Sequence, residues 1–168
     1  MRFDIVSDTH GYLSDELLAE LRGADYIVHA GDICSDANFR TLDRIAPVHA
    51  CLGNNDWGGD YGPDVKRVTK FFAAGLRWQV CHYEERLDLL TCDVAICGHT
   101  HRPFFERDPK TSVLVMNPGS PTFPRTAQGP TIGRILVREG GTIEHAEIVE
   151  LKQSKKGEGW GFSRFFGW

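Results

Sequence analysis

Residues 3–10 read FDIVSDTH, residues 26–32 read YIVHAGD and residues 48–56 read VHACLGNND. Each segment begins with a short run that is mostly apolar and ends in polar residues that follow it directly. Short apolar runs bounded by turn-forming residues are typical of buried strands. The pattern therefore predicts three strands, each of which delivers polar side chains at the point where it ends.

Helical periodicity fills the gaps between these strands. Ser14 can cap a helix over residues 15–22, and either Ser35 or Asp36 can cap a second helix that Pro47 ends. The apolar residues at helical spacing are Leu17, Leu18 and Leu21 in the first helix and Phe39, Leu42 and Ile45 in the second. Strands that alternate with helices imply parallel strands with right-handed crossovers. Such sheets place their sites at the carboxyl ends of the strands.

The second half of the chain alternates short strands with turns. One short helix is predicted over residues 84–90, and strands are predicted over residues 65–72, 76–81, 94–97, 104–107, 113–116, 132–137 and 142–149. Several of these strands are joined by hairpin turns, so we expect this half to be mostly antiparallel. Together the two halves predict an α/β (α+β) fold of two packed sheets with helices outside.

The chain divides into a domain over residues 1–150 and a tail over residues 151–168 that is rich in glycine and aromatic residues. The aromatic side chains of the tail are Trp160, Phe162, Phe165, Phe166 and Trp168. A segment of this composition is not expected to stay fully solvated. We expect the tail to pack on its own domain or on a neighbouring subunit of a homo-oligomer, and the alternative is a docking segment.

Composition places the chain among ordinary globular proteins. It has 168 residues, of which 41% are hydrophobic and 25% charged, and its formal net charge is −4. This charge offers no general attraction to nucleic acid or to an anionic membrane. We expect no secretory signal and no membrane span. Five cysteines without paired CxxC spacing favour reduced core thiols and a cytoplasmic protein.

Seven side chains that can ligate a divalent metal follow the predicted strands. They are Asp8, His10, Asp32, Asn54, His82, His99 and His101. Any one of their motifs taken alone is better explained as a turn or a helix entry, but five strand-end motifs in one order make coincidence improbable. Seven ligands exceed what one tetrahedral ion uses. The set fits two divalent ions that share a bridging carboxylate, for which Asp32 is the candidate.

Charge indicates the class of substrate. Two divalent ions and two carboxylates leave a site of roughly +2, which attracts an anionic, oxygen-rich substrate. Ions about 3.5–4 Å apart can generate a bridging hydroxide and hold the oxygens of an in-line displacement. Phosphoryl hydrolysis uses all of these features. The imidazole ligands favour Mn²⁺, which we expect, or Fe, Ni, Co or Zn, and the carboxylates leave Mg²⁺ as an alternative.

These motifs resemble those of the calcineurin-like metallophosphoesterase superfamily, and most closely its small prokaryotic phosphodiesterase branch. The resemblance covers residues 1–149 and includes Asn117-Pro118-Gly119-Ser120 and Pro124-Arg125. It implies a four-layer α-β-β-α sandwich of two mixed sheets flanked by helices. One ion would take Asp8, His10, Asp32 and His101. The other would take Asp32, Asn54, His82 and His99.

Two positions depart from the family pattern. Larger members carry a histidine that helps protonate the leaving group where this chain has Asn55, and an amide cannot act as a general acid near neutral pH. The family usually has Gly-His where this chain has Cys81-His82. We assign His82 as a ligand because it ends a strand at the right place in the order. We expect Cys81 to be a core residue.

The resemblance and the motifs together give a set of candidate roles. The candidate catalytic residues are Asp32, Asn54, Asp56 and His99, and the candidate substrate-binding residues are Asn55, Arg125 and Arg102. The expected function is a phosphodiesterase that acts on a phosphate ester by a metal-bridging hydroxide. The alternatives are a phosphomonoesterase or phosphoprotein phosphatase, and a non-catalytic scaffold of the same fold.

Overall fold

The computed structural model describes residues 1–152, so the predictions about the aromatic tail concern residues that lie outside the described part, apart from Leu151 and Lys152. The described residues form the following elements: β1 Arg2–Val6, α1 Asp15–Glu20, β2 Tyr26–His29, α2 Asp36–Asp43, β3 Val48–Ala50, β4 Val68–Ala73, β5 Leu76–Cys81, a 3₁₀ helix Glu84–Arg86, β6 Val94–Ile96, β7 Phe104–Arg107, β8 Leu114–Asn117, β9 Thr131–Arg138 and β10 Thr142–Glu150. Among them, no helix is long and apolar enough to cross a membrane.

Serine caps begin both α-helices. The Leu17 amide donates to the Ser14 hydroxyl at 3.1 Å, and the Asn38 amide donates to the Ser35 hydroxyl at 3.2 Å. Each bond satisfies one of the amide groups that have no partner in the first turn. Ser35 rather than Asp36 is therefore the cap of α2. The first helix ends at Glu20, two residues before the predicted end.

The first sheet carries the predicted parallel core. Its strand order is β10-β9-β1-β2-β3, in which β1, β2 and β3 are parallel and β9 and β10 are antiparallel additions. The register pairs Val6 with His29 and His29 with Ala50. All three parallel strands therefore end at one edge, and the chain leaves each of them there into a loop that carries predicted ligands.

The second sheet has the order β4-β5-β6-β8-β7 and is mixed, as the family resemblance implied. Its outer pairs, β4 with β5 and β7 with β8, are antiparallel, but β6 is parallel to both of its neighbours. The chain reaches β6 from β5 through a crossover that contains the segment after Cys81. Because β5 and β6 are parallel, His82 and His99 follow strands that end at the same edge.

The main core lies between the two sheets. Trp78 is 1% exposed, its ring centroid lies 4.4 Å from that of Phe3, and its indole N–H donates to the Ala73 carbonyl at 3.2 Å. A Cβ on Gly133 would lie 2.4 Å from the Met116 sulfur, so the sheets approach closely there. Burial of a large apolar side chain stabilises the fold by about 1.5–3 kcal/mol. This core fixes the two sheet edges against each other.

The outer layers differ between the two sheets. The helices α1 and α2 cover the first sheet with a cluster that includes Leu17, Leu21 and Leu42. The second sheet is covered by the segment after β5, which forms a 3₁₀ helix over Glu84–Arg86 instead of the predicted helix over residues 84–90. The Gln79 side chain accepts the Asp88 amide at 2.9 Å, and Leu87 is already extended. The sheet therefore holds this segment out of a helix.

Candidate metal centre

The loops after β1 and β2 lie side by side and are joined by main-chain hydrogen bonds. The Asp8 amide donates to the Gly31 carbonyl at 2.9 Å, and the His10 amide donates to the Asp32 carbonyl at 3.0 Å. Asp8, His10 and Asp32 have φ angles of 56°, 48° and 56°. The two side chains turn toward the same cavity from this left-handed backbone rather than from an extended strand.

Glycines allow these loops to pack against one another's side chains. A Cβ on Gly53 would lie 2.1 Å from an Asp32 carboxylate oxygen, and one on Gly98 would lie 1.9 Å from the Ser7 hydroxyl. Real Cβ atoms do not approach other atoms this closely, so any larger residue would displace a ligand loop. The glycine before each of Asn54 and His99 thus belongs to the architecture of the site.

Asp8, His10 and His101 form the first group of ligand atoms. The distance from Asp8 Oδ1 to His101 Nε2 is 3.2 Å, and that to His10 Nε2 is 3.9 Å. The Nε2 atoms of the two histidines are 3.2 Å apart. The three atoms therefore surround one point, as ligands of a common ion would.

Asp32, Asn54, His82 and His99 lie beside this group. His82 Nε2 is 3.6 Å from Asp32 Oδ2 and 3.1 Å from Asn54 Oδ1, which is also 3.2 Å from His99 Nδ1. Asp32 Oδ2 is also 3.9 Å from His10 Nε2, so it lies between the two groups, where a bridging ligand belongs. Asp8 Oδ1 is likewise 3.9 Å from His82 Nε2, a second link that the sequence did not predict.

Main-chain carbonyls fix the tautomers of two histidines. His82 Nδ1 lies 2.7 Å from the Ala30 carbonyl oxygen, and His101 Nδ1 lies 2.6 Å from the Phe123 carbonyl oxygen. A carbonyl only accepts, so each Nδ1 carries the hydrogen and each neutral ring presents the Nε2 lone pair to the cavity. Ligand histidines in metal sites are oriented in this way.

Asp8 gives the clearest sign that a cation belongs here. Its Oδ2 accepts hydrogen bonds from the Ser7 hydroxyl at 2.6 Å and from the His99 amide at 3.0 Å. Its Oδ1 is buried and has no hydrogen-bond partner among residues 1–152. Burial raises the pKa of this carboxyl, against the opposing effect of Ser7. A buried carboxylate oxygen that faces imidazole lone pairs is costly unless a cation lies between them, so these residues fit a divalent metal.

Asp56, predicted to be catalytic, has a different environment. Its carboxylate accepts hydrogen bonds from the amides of Ile33, Cys34 and Gly53 at 3.2, 2.8 and 2.9 Å, and from the Tyr61 hydroxyl at 3.0 Å. Burial raises its pKa, but these four donors outweigh burial and lower it overall. All four acceptor positions are used. These contacts join the loops that carry Asp32 and Asn54 and so give Asp56 a positioning role; its predicted part in catalysis stays a prediction.

The candidate substrate-binding residues divide into two kinds. Asn55 donates two hydrogen bonds to the Asp32 carboxylate, one from its main-chain N–H at 2.8 Å and one from its side-chain amide at 2.7 Å. Its side-chain amide therefore contacts the candidate metal ligand Asp32 and does not point toward a substrate. Arg102 and Arg125 are exposed, and their main chains lie next to His101. Within residues 1–152 their guanidinium groups make no hydrogen bond or ion pair, so both stay candidates for a substrate phosphate.

The structure reveals supporting residues that the sequence analysis did not assign. His29, to which the sequence motifs give no role, is fully buried beneath the site and accepts the Gly31 amide on Nδ1 at 3.2 Å. Its Nε2 lies 3.0 Å from the Thr9 hydroxyl, so it links the loops after β1 and β2. Ser120 donates its hydroxyl to the Asp8 carbonyl at 2.8 Å. In the sequence, the only signals for these two residues were the position of His29 shortly before Gly31-Asp32 and the motif Asn117-Pro118-Gly119-Ser120.

Comparisons with known proteins point to one family. Residues 1–140 match the model of the calcineurin-like phosphoesterase superfamily domain. A probable metallophosphoesterase of Methanothermobacter thermautotrophicus is 33% identical over 165 residues, which cover 89% of this chain and 92% of the relative. One from Methanocaldococcus jannaschii is 31% identical over 137 residues, 74% of this chain and 70% of the relative.

Solved structures of lower identity share the fold. The phosphoesterase Yfce from E. coli superposes with a TM-score of 0.64 at 22% identity, over 90% of this chain and all of that one. A Vps29 variant from Entamoeba histolytica gives a TM-score of 0.69 at 17% identity, with the same coverage. The two mixed five-stranded sheets are therefore the metallophosphoesterase fold. Fold, ligand groups and family match agree, and the chain belongs to the calcineurin-like phosphoesterase superfamily.

Proposed function

We propose that this chain is a dinuclear metal-dependent phosphodiesterase, with Mn²⁺ as the metal at both positions. The observation that carries the proposal is the orphaned Oδ1 of Asp8, which lies within 3.2–3.9 Å of the Nε2 atoms of His10, His82 and His101. Asp32 Oδ2 between His10 and His82 supports a second ion that shares this ligand. When bound, the ions supply Lewis acidity and a water of lowered pKa for attack on phosphorus.

The residues of the chain contribute orientation and charge. The tautomers fixed at His82 and His101 keep both Nε2 lone pairs directed inward, and Asn54 adds a neutral oxygen between His82 and His99. The exposed guanidinium groups of Arg102 and Arg125, which have no partner in the described part of the chain, could hold the non-bridging oxygens of a phosphate. The substrate class that fits is an anionic phosphate ester.

The residue at position 55 bears on which leaving groups the site accepts. No imidazole stands there, and the amide of Asn55 is engaged with Asp32. A site without a strong general acid should favour esters whose leaving groups depart without a proton. General acid catalysis contributes about 10²–10⁴-fold where it operates. We therefore expect aryl diesters to react much faster than alkyl diesters.

Monoester hydrolysis is the rival, because the two arginines next to His101, which have no ion pair within residues 1–152, would also suit a dianionic phosphate. A scaffold without catalysis is the weaker alternative, since all seven ligand side chains are present and converge.

We also propose that the protein is located in the cytoplasm. The support for this location is that the five cysteines, all within the described residues, are free thiols and four of them are buried.

Metal analysis combined with paired substrates tests the proposal. Protein stripped with chelator and reloaded with Mn²⁺ should hold two ions per chain and should hydrolyse bis(4-nitrophenyl) phosphate at least tenfold more efficiently than 4-nitrophenyl phosphate. A preference for the monoester would support the phosphatase instead. Two bound ions without turnover of either ester would favour the scaffold. The variant Asp8→Asn, assayed in parallel, controls for a contaminating hydrolase.

A further inference from the structure

We propose that Asn55 is a positioning residue that clamps the carboxylate of Asp32 with its main chain and its side chain and thereby prepares it to bridge two ions. The inference rests on the proposed dinuclear function. It assigns to Asn55 a role in metal affinity, distinct from the substrate-binding role predicted from sequence.

The contacts of Asp32 carry the inference. Its side chain is nearly buried, and Asn55 donates to Oδ1 from the main chain at 2.8 Å and to Oδ2 from the side-chain amide at 2.7 Å. No other hydrogen bond to this carboxylate is found between residues 1 and 152; the Nε2 atoms of His10 and His82 lie 3.9 and 3.6 Å from Oδ2. One residue therefore holds both oxygens and fixes the rotation of the carboxylate plane.

Counting acceptor positions shows why this arrangement suits a bridging ligand. An ionised carboxylate offers about four lone-pair positions, two on each oxygen. Asn55 takes one on Oδ1 and one on Oδ2, which leaves one on each oxygen for a cation. A carboxylate that is already fixed with two free positions can bind metal ions without moving. A carboxylate that must first rotate out of another contact would lose free energy in that rotation, so its metal affinity would be lower.

The amide also suits the charge of the site. A cationic donor at position 55 would orient Asp32 equally well, but it would repel the incoming ions at close range. The amide of Asn55 is a donor without charge, and it stays so at every physiological pH. This gives a physical reason for asparagine at a position next to the ligand Asn54.

Two substitutions separate the donor from the shape of the side chain. Asn55→Leu keeps the branched shape and removes the side-chain donor. In Asn55→His, the Nδ1 atom is bonded to Cγ, just as the amide nitrogen of asparagine is. It can therefore donate a hydrogen bond to Asp32 from a similar position. At pH 8 that imidazole is neutral. The matched control is Asn38→Ala on α2, which removes an amide whose nitrogen makes no hydrogen bond to any residue from 1 to 152.

The measurement is titration of chelator-stripped protein with Mn²⁺ at pH 8, by calorimetry and by the free-Mn²⁺ EPR signal, with melting curves to show that each variant is folded. Loss of a group that orients a metal ligand typically weakens binding by about 10–100-fold. We expect that loss for at least one ion in Asn55→Leu, recovery of most of it in Asn55→His, and wild-type affinity in Asn38→Ala.

The outcomes are separable from those of the proposed function. Wild-type Mn²⁺ affinity in Asn55→Leu would overturn the inference, and if diester turnover fell at the same time, Asn55 would act on the substrate. Failure of folded Asn55→His to recover affinity would also overturn it, because the donor would not be what matters. Two-ion binding with full diester activity in wild type would leave the phosphodiesterase standing in either case.

Discussion

Protonation of His29 should destabilise the fold as the pH falls below neutrality. The ring is fully buried, and burial lowers its pKa from 6.5 to about 4, a shift that the nearby Asp56 carboxylate opposes. Its Nδ1 accepts the Gly31 amide, so the neutral ring is the form that the fold requires. An unfolded chain takes up the proton near pH 6.5, whereas the folded chain resists it until about pH 4.

The size of the effect follows from these two pKa values. Below the unfolded pKa the unfolded state binds more protons, so stability falls as the pH falls from about 6.5 to about 4 and levels off below that. One pKa unit corresponds to about 1.36 kcal/mol. Between pH 7.5 and pH 5.0 His29 should therefore cost roughly 2 kcal/mol of unfolding free energy, and about 3 kcal/mol over the whole window.

The assay is urea unfolding of chelator-treated protein at pH 7.5 and pH 5.0, for wild type and for His29→Gln. The variant need not match wild type in absolute stability, because the comparison is between pH dependences. We expect the loss on acidification to be about 2 kcal/mol smaller in His29→Gln. The exposed His145, replaced by glutamine, should behave as wild type. Equal pH dependences in wild type and His29→Gln would refute the reasoning.

Three further substitutions test the site. Asp32→Asn removes charge from both ion positions, so metal occupancy and diester turnover should both fall at least 100-fold while the melting curve stays cooperative; two tightly held ions by elemental analysis would rule out the bridge. His82→Ala should weaken one ion and spare the other, and an unchanged stoichiometry of two would mean that another residue is the ligand. Asp56→Asn places an NH₂ group among the amides of Ile33, Cys34 and Gly53 and should cost about 1–3 kcal/mol in urea unfolding; a wild-type midpoint would contradict its positioning role.

The sequence predicted the elements that local signals define. Caps at Ser14 and Ser35 and apolar runs before Asp8 and Asp32 placed the helices and parallel strands to within a few residues. The convergence of the candidate ligands could be predicted because each follows a strand, and parallel strands end at a common edge. His82 joins this cluster although Cys81 departs from the family pattern, and its role as a metal ligand stays a prediction.

What the sequence could not predict depends on contacts between distant segments. The segment after β5 leaves its helix because the Gln79 side chain takes the Asp88 amide, a pairing that no periodicity reveals. Asn55 and Asp56 are adjacent in sequence, yet they contact different groups. Asn55 donates to the Asp32 carboxylate, whereas Asp56 accepts from the main-chain amides of Ile33 and Cys34. Residue type gave their chemistry, but only the packed loops decided which atoms they reach.

The left-handed backbone of the ligand loops sets a compromise between stability and activity. Asp8, His10, Asp32, His99 and His101 all have φ angles between 48° and 68°. A residue other than glycine in this region costs on the order of 1 kcal/mol, and glycine escapes that cost. Replacing one of these candidate ligands by glycine would thus relax the chain and remove its proposed metal contact. Random mutagenesis selected for thermal resistance alone should drift toward glycine at these positions and lose the proposed metal centre, whereas selection for turnover keeps the strained residues.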